Sequence, residues 1–173
     1  INKDDYVIIS DVDELPNLEN LNDILNNKKK YTAFKQKMIY YKFNLLNLTE
    51  KNWYGSRMCK FKDLKSPQWL RSKKVKNYPF YRIDKLNWNI VENGGWHFSN
   101  VMSPKEISEK LKSFAHSEFD KPEFTDEEII KKKIDLKKDI FGRNFQFKKI
   151  DDDKELPKYL IENKSKFSKF LIQ

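Results

Sequence analysis

The spacing of apolar residues changes several times along this chain. Tyr6-Val7-Ile8-Ile9 is an uninterrupted apolar run that stops at Ser10-Asp11-Val12-Asp13-Glu14-Leu15-Pro16. Valine and isoleucine fit a pleated core surface, so the run predicts a strand covered on both faces. From Leu18 to Leu25 apolar residues fall at 18, 21, 24 and 25, a helical spacing that Asn26-Asn27 and three lysines then end. Tyr31 to Phe43 is rich in aromatics, with Phe34 and Met38 set apart from Lys35 and Lys37, and reads as a strand. Asn52 to Leu64 reads as a further strand element, carrying Trp53, Tyr54, Met58 and Phe61. Gln68 to Tyr81 is basic and aromatic, and Asn93-Gly94-Gly95 marks a turn before Trp96-His97-Phe98-Ser99.

The last third carries helical signals. Ser103-Pro104 places proline at a first helical position, with Ile107, Leu111 and Phe114 on one face. Thr125-Asp126-Glu127-Glu128 reads as a capping box ahead of Ile129, Ile130 and Ile134. Leu156-Pro157-Lys158-Tyr159-Leu160 begins a final helix with Leu160, Phe167 and Phe170 as its apolar positions. Strand, helix, strands and then helices predict an α/β fold with a mixed sheet.

At 173 residues the chain is expected to be one domain, 1–173, or part of one. Its net charge of +9 suits a polyanionic partner: nucleic acid, an anionic membrane surface met peripherally, or a phosphorylated substrate. The lysines are scattered in pairs and triplets, so the charge alone selects none of these. Cys59 is the single cysteine, which excludes an internal disulfide framework and a Cys-rich zinc site. No run approaches the ~18 apolar residues of a membrane span. The Lys, Asn and Ile-rich background points to a microbial or viral source, so a cytoplasmic location is expected, with an anchor upstream of Ile1 compatible with it.

Chemistry concentrates where the first apolar run ends. In α/β sheets ligands bind beyond the carboxyl ends of strands. On an extended strand end Asp11 and Asp13 would point the same way and Val12 back into the core. Two convergent carboxylates suit a hard divalent cation such as Mg²⁺ or Mn²⁺. His97, beside two glycines, is a candidate third ligand or phosphate contact. His116 is expected near a helix end, and Glu118 beside it is a candidate general base. Arg71, Arg82 and Arg143 are candidates for diphosphate contact, because guanidinium pairs bidentately with phosphate.

Taken in order, these blocks resemble glycosyltransferase family 17, which includes the β-1,4-mannosyl-glycoprotein 4-β-N-acetylglucosaminyltransferases. The blocks are Ile9-Ser10-Asp11-Val12-Asp13-Glu14-Leu15-Pro16, Gly95-Trp96-His97-Phe98-Ser99, Ser113-Phe114-Ala115-His116-Ser117-Glu118-Phe119, Phe141-Gly142-Arg143 and Leu156-Pro157-Lys158-Tyr159-Leu160. The resemblance implies a GT-A-like mixed sheet flanked by helices. It implies an inverting, metal-dependent transfer of a sugar, GlcNAc from UDP-GlcNAc, to a glycan acceptor. Asp11 and Asp13 would match the metal-binding Asp-x-Asp, with His97 or His116 completing the metal or phosphate site. Trp96, His97, His116, Arg71 and Arg143 would then contact the donor, and Glu14 or Glu118 would be the base. Only ten residues precede Asp11, so the chain is expected to be an N-terminally truncated fragment lacking part of the nucleotide-binding half.

Two other readings stay open. A haloacid-dehalogenase-like phosphatase would use Asp11 as nucleophile, but Glu14-Leu15 follows where such proteins usually carry Gly-Thr-Leu. A non-catalytic nucleic-acid-binding domain would use Lys73, Lys74, Lys76, Tyr78, Phe80 and Tyr81 for stacking and phosphate contact. No feature of the chain marks a specific nucleic-acid target.

Overall fold

A computed structural model describes residues 1–51, 53–76, 79, 81, 85–113 and 121–172. In chain order these residues form β1 (Tyr6–Ile9), β2 (Glu14–Pro16), α1 (Leu21–Leu25), β3 (Tyr31–Tyr40), β4 (Leu45–Asn47), β5 (Trp53–Lys60), α2 (Pro67–Ser72), β6 (Trp88–Val91), β7 (Gly95–Ser99), α3 (Pro104–Ser113), α4 (Pro122–Thr125), α5 (Glu127–Asp135), β8 (Phe147–Lys149) and α6 (Lys158–Glu162). The fold is mixed α/β. Its contacts group into two compact units, Ile1–Lys37 with Asn52–His97, and Met38–Lys51 with Phe98–Gln173.

In the first unit β5 lies between β1 and β3, antiparallel to both. β6 runs parallel to β3, matching Tyr31 to Trp88 and Phe34 to Val91. β2 pairs antiparallel with β7. Ala33, Cys59, Leu70 and Trp88 form one buried cluster, and Ile24, Phe34 and Met58 another. Helix α2 begins at a strong start signal: Ser66 Oγ accepts from Trp69 N at 3.1 Å, and Pro67 sits where its missing N–H costs nothing. The helix buries Leu70 and leaves Arg71 on an exposed face.

In the second unit β4 pairs with β8 and with the end of β3. Met38, Tyr40, Tyr41, Leu45, Ile107, Leu111, Ile130, Ile134 and Ile140 make its core. Beneath the rings lies Asp139, whose side chain is fully buried. Its carboxylate accepts from Tyr41 Oη at 2.9 Å, from the backbone N of Phe141 and Arg143 at 3.0 Å each, and from Arg143 Nε and Nη2 at 3.0 and 2.7 Å. Burial alone would raise the Asp139 pKa. Hydrogen bonds from Arg143 and Tyr41 and the guanidinium charge outweigh it, and the net shift is downward.

Several expectations change. β1 is not wrapped in a central position: among the described residues it pairs with β5 alone, and Tyr6 is exposed. The helix expected over 18–25 is shortened to Leu21–Leu25, and Leu18 is exposed. β3 stops at Tyr40 because Tyr41 takes a positive φ of 61°. The cap of α5 is Asp126 rather than Thr125, since the Asp126 carboxylate accepts from Glu128 N and Ile129 N. The reciprocal capping box lies at Ser103 and Glu106, where Glu106 Oε2 accepts from Ser103 N at 2.7 Å and Ser103 Oγ accepts from Glu106 N at 3.3 Å. Phe147–Lys149 forms a strand inside the expected helical third, and α6 ends at Glu162 before reaching Phe167. Phe114 lies outside the described residues. No helix among the described residues is long and apolar enough to cross a membrane.

Candidate active site

The first unit gathers most of the candidate chemistry at the end of β1. After Ile9 the strand is pinned by a hydrogen bond from Ser10 Oγ to Ser56 Oγ at 2.7 Å. The chain then reverses in a turn closed by Glu14 N donating to Asp11 O at 3.1 Å. Asp11 and Asp13 therefore sit on a turn, not on an extended strand end. A turn breaks the two-residue alternation, so Val12 is fully exposed rather than directed into the core.

Glu14 locks this turn. One carboxylate oxygen accepts from Asp11 N at 3.1 Å and the other from Trp53 Nε1 at 3.0 Å. Gly55 makes room for it, because a Cβ there would lie 2.6 Å from the Glu14 carboxyl carbon and 2.0 Å from Gln36 Oε1. Gln36 in turn donates to Ser56 Oγ at 2.9 Å, tying the turn to the interior of β3 and β5.

Strand pairing then delivers the histidine. The antiparallel register of β2 and β7 sets Glu14 opposite His97 and Pro16 opposite Gly95. Gly95 has φ of 123°, and a Cβ there would meet Leu15 O at 2.0 Å, so only glycine permits this approach. His97 Nε2 lies 3.2 Å from Asp13 Oδ2. Its ring meets the Trp53 ring edge-on at 4.7 Å, and its buried Nδ1 has no hydrogen-bond partner. Arg71, from α2, holds Asp11 through Nη2 to Oδ2 at 2.6 Å.

Beside the turn opens a cavity of about 540 Å³. Asp11, Glu14 and Trp53 line it together with Arg57, Arg71, Lys73, Lys74 and Lys76. Burial holds the Arg57 pKa below its ordinary value, opposed by the nearby Glu14 charge. The buried Arg57 Nε has no partner, while its Nη1 donates to Gly55 O at 3.2 Å. Excess positive charge in a cavity suits an anionic ligand.

A hard divalent cation fixes the spacing of its ligands. Mn²⁺ or Mg²⁺ with ligands near 2.1 Å places neighbouring ligand atoms about 3 Å apart. The 3.2 Å between His97 Nε2 and Asp13 Oδ2 is a hydrogen-bond distance that also lies near that spacing. Among the described residues no three His, Cys, Asp or Glu side chains are gathered as ligands. Mg²⁺-type sites commonly take one or two carboxylates and complete the shell with water and substrate phosphates. Asp13 and His97 would offer two such ligand atoms, with Asp11 two residues before Asp13 and held by Arg71.

The remaining candidates divide clearly. Trp96 is half-buried on β7, its backbone opposite Leu15. Arg143 belongs to the second unit. Its guanidinium bonds Asp139 through Nε and Nη2 and lies 4.1 Å from the Phe145 ring centroid, which gives it a structural role in that unit. Arg82, His116, Glu118, Tyr78 and Phe80 lie outside the described residues. Trp53 and Arg57 were missed as site residues by sequence reasoning. The one local signal was Gly55 inside a strand, which marks a place where other groups approach closely. Comparison with family models, with curated proteins and with solved structures finds no match to this chain.

Proposed function

We propose that this chain is a GT-A-like, family-17-type glycosyltransferase, or part of one, which transfers a sugar from a UDP-sugar, UDP-GlcNAc in the first instance, to a glycan acceptor. One observation carries the reading: in the turn that bears both carboxylates, Asp13 meets His97 while Asp11 lines a cavity rich in arginine and lysine. That juxtaposition is what a metal–diphosphate donor requires.

In this reading Asp13 and His97 hold Mn²⁺ or Mg²⁺, with Asp11 beside them. The bound metal supplies charge neutralisation for the departing diphosphate. Arg57, Arg71 and the lysines of 73–76 draw the diphosphate into the cavity and hold it there. Glu14 fixes the turn, so the carboxylates are pre-set before substrate arrives. A carboxylate has about four lone-pair sites, and two hydrogen bonds leave Glu14 able to accept the proton of an acceptor hydroxyl. An inverting transfer needs one such base in line with the leaving group, and Glu118 is the other candidate.

The test is UDP release from a panel of UDP-sugars with glycan acceptors, in Mn²⁺ and in EDTA. Release that needs the metal and is lost in Asp13→Asn supports the proposal. Metal-dependent phosphate release from a simple phosphomonoester, abolished in Asp11→Asn and accompanied by no UDP release, overturns it in favour of the phosphatase reading.

A further inference from the structure

Trp53 has a place that the reading above leaves unexplained. It opens β5 at the wall of the cavity, 38% exposed, yet its orientation is fixed twice. Its Nε1 donates to Glu14 Oε1 at 3.0 Å, and its ring meets His97 edge-on at 4.7 Å. A large aromatic surface held rigid but left open to solvent is suited to stacking, because ordering the side chain has already been paid for within the fold.

We infer that Trp53 and Glu14 form the pyranose subsite of this cavity. A pyranose presents an apolar face of C–H groups and a rim of hydroxyls. The electron-rich face of an indole attracts the C–H groups. The Glu14 carboxylate beside it accepts from hydroxyls on the rim. Arg57, Arg71 and Lys73 line the cavity too and take anions rather than sugar. The cavity is thereby bipartite, with phosphate on the guanidinium and ammonium groups and sugar on the indole and carboxylate. This inference rests on the glycosyltransferase reading and assigns its sugar-recognition residue.

The experiment is calorimetric titration of UDP and UDP-GlcNAc, each with Mn²⁺, into the wild type, Trp53→Phe and Trp53→Ala. The expected result is that the wild type binds UDP-GlcNAc about tenfold more tightly than UDP, the size of one aromatic stacking contact. Trp53→Ala removes that gap and Trp53→Phe keeps most of it, while UDP affinity falls by the same factor in both variants, since each lacks the Nε1 donor that helps Glu14 hold the turn. A gap that survives Trp53→Ala, an equal affinity of the wild type for the two ligands, or an equal loss of both overturns the inference without touching the glycosyltransferase reading. If the wild type binds neither nucleotide, that reading falls. The subsite is then decided by saturation-transfer NMR with free GlcNAc: transfer to the ring protons that disappears in Trp53→Ala supports it, and no transfer overturns it.

Discussion

Replacing Gly55 with alanine adds one methyl group where the structure leaves no room. Its carbon would lie 2.0 Å from Gln36 Oε1 and 2.6 Å from the Glu14 carboxyl carbon. To reach ordinary contact near 3.4 Å, those groups must retreat by about 1.4 Å and 0.8 Å. Both belong to side chains that can move, so the fold survives, but their hydrogen bonds do not. A carboxylate displaced by that much cannot hold Trp53 Nε1 at 3.0 Å and Asp11 N at 3.1 Å together. Hydrogen bonds to a charged group contribute about 1.5–3 kcal/mol each when buried; solvent at the exposed Trp53 lowers this to about 1 kcal/mol each, about 2 kcal/mol for the pair. Melting should fall by about 4–8 °C. Binding of UDP with Mn²⁺ should weaken by more than that destabilisation explains, because the turn bearing Asp11 and Asp13 loses its lock. Thermal unfolding by circular dichroism, paired with calorimetry on the folded variant, reads both effects. A melting point within about 1 °C of wild type, with unchanged nucleotide affinity, would refute the placement of Glu14 and Gln36 against Gly55.

Other outcomes follow from the same geometry. Asp139→Asn leaves the Arg143 guanidinium and two backbone N–H groups facing an amide, and should cost about 3–5 kcal/mol in urea unfolding; a loss under 1 kcal/mol would contradict the network. Because the folded Asp139 pKa is lowered, its contribution is fully present above the unfolded carboxylate range near 4 and drains away as pH falls through the folded value. The wild type should therefore lose stability between neutral pH and about pH 3 faster than Asp139→Asn does. Burial pushes the Cys59 thiol up to about 11, so in the native protein it should resist alkylation at neutral pH, and rapid native-state labelling would contradict its burial. Val12→Ser, at a fully exposed turn position, should change stability by no more than about 0.5 kcal/mol.

Local signals were readable where one short stretch decides the outcome. The apolar run of β1, the Pro104 helix start and the isoleucine spacing of α5 all depend on neighbours in sequence, and the structure keeps them. Asp11 and Asp13 stand out in the sequence because an apolar strand ending in acids is itself a local pattern. Their presentation was misjudged, since the Asp11–Glu14 turn depends on Trp53 and Gly55, about forty residues away in sequence. The approach of His97 likewise rests on the β2–β7 register, which the glycines at 94 and 95 allow but do not specify. Arg71 carried a chemical hint only, and its partner emerges from the docking of α2. Arg143 shows what sequence chemistry leaves out: an arginine with a good phosphate-binding chemistry pairs on folding with Asp139, four residues before it.

The central claim is that Asp13 and His97, with Asp11 beside them, anchor a metal-bound diphosphate in the first unit. Calorimetric titration of UDP and UDP-GlcNAc into the wild type and Asp13→Asn, in Mn²⁺ and in EDTA, tests it most directly. The account predicts binding to the wild type that requires Mn²⁺ and weakens by at least about tenfold in Asp13→Asn, with both proteins equally folded. Binding that is indifferent to Mn²⁺ and to Asp13, or no binding to the folded wild type at all, would contradict it.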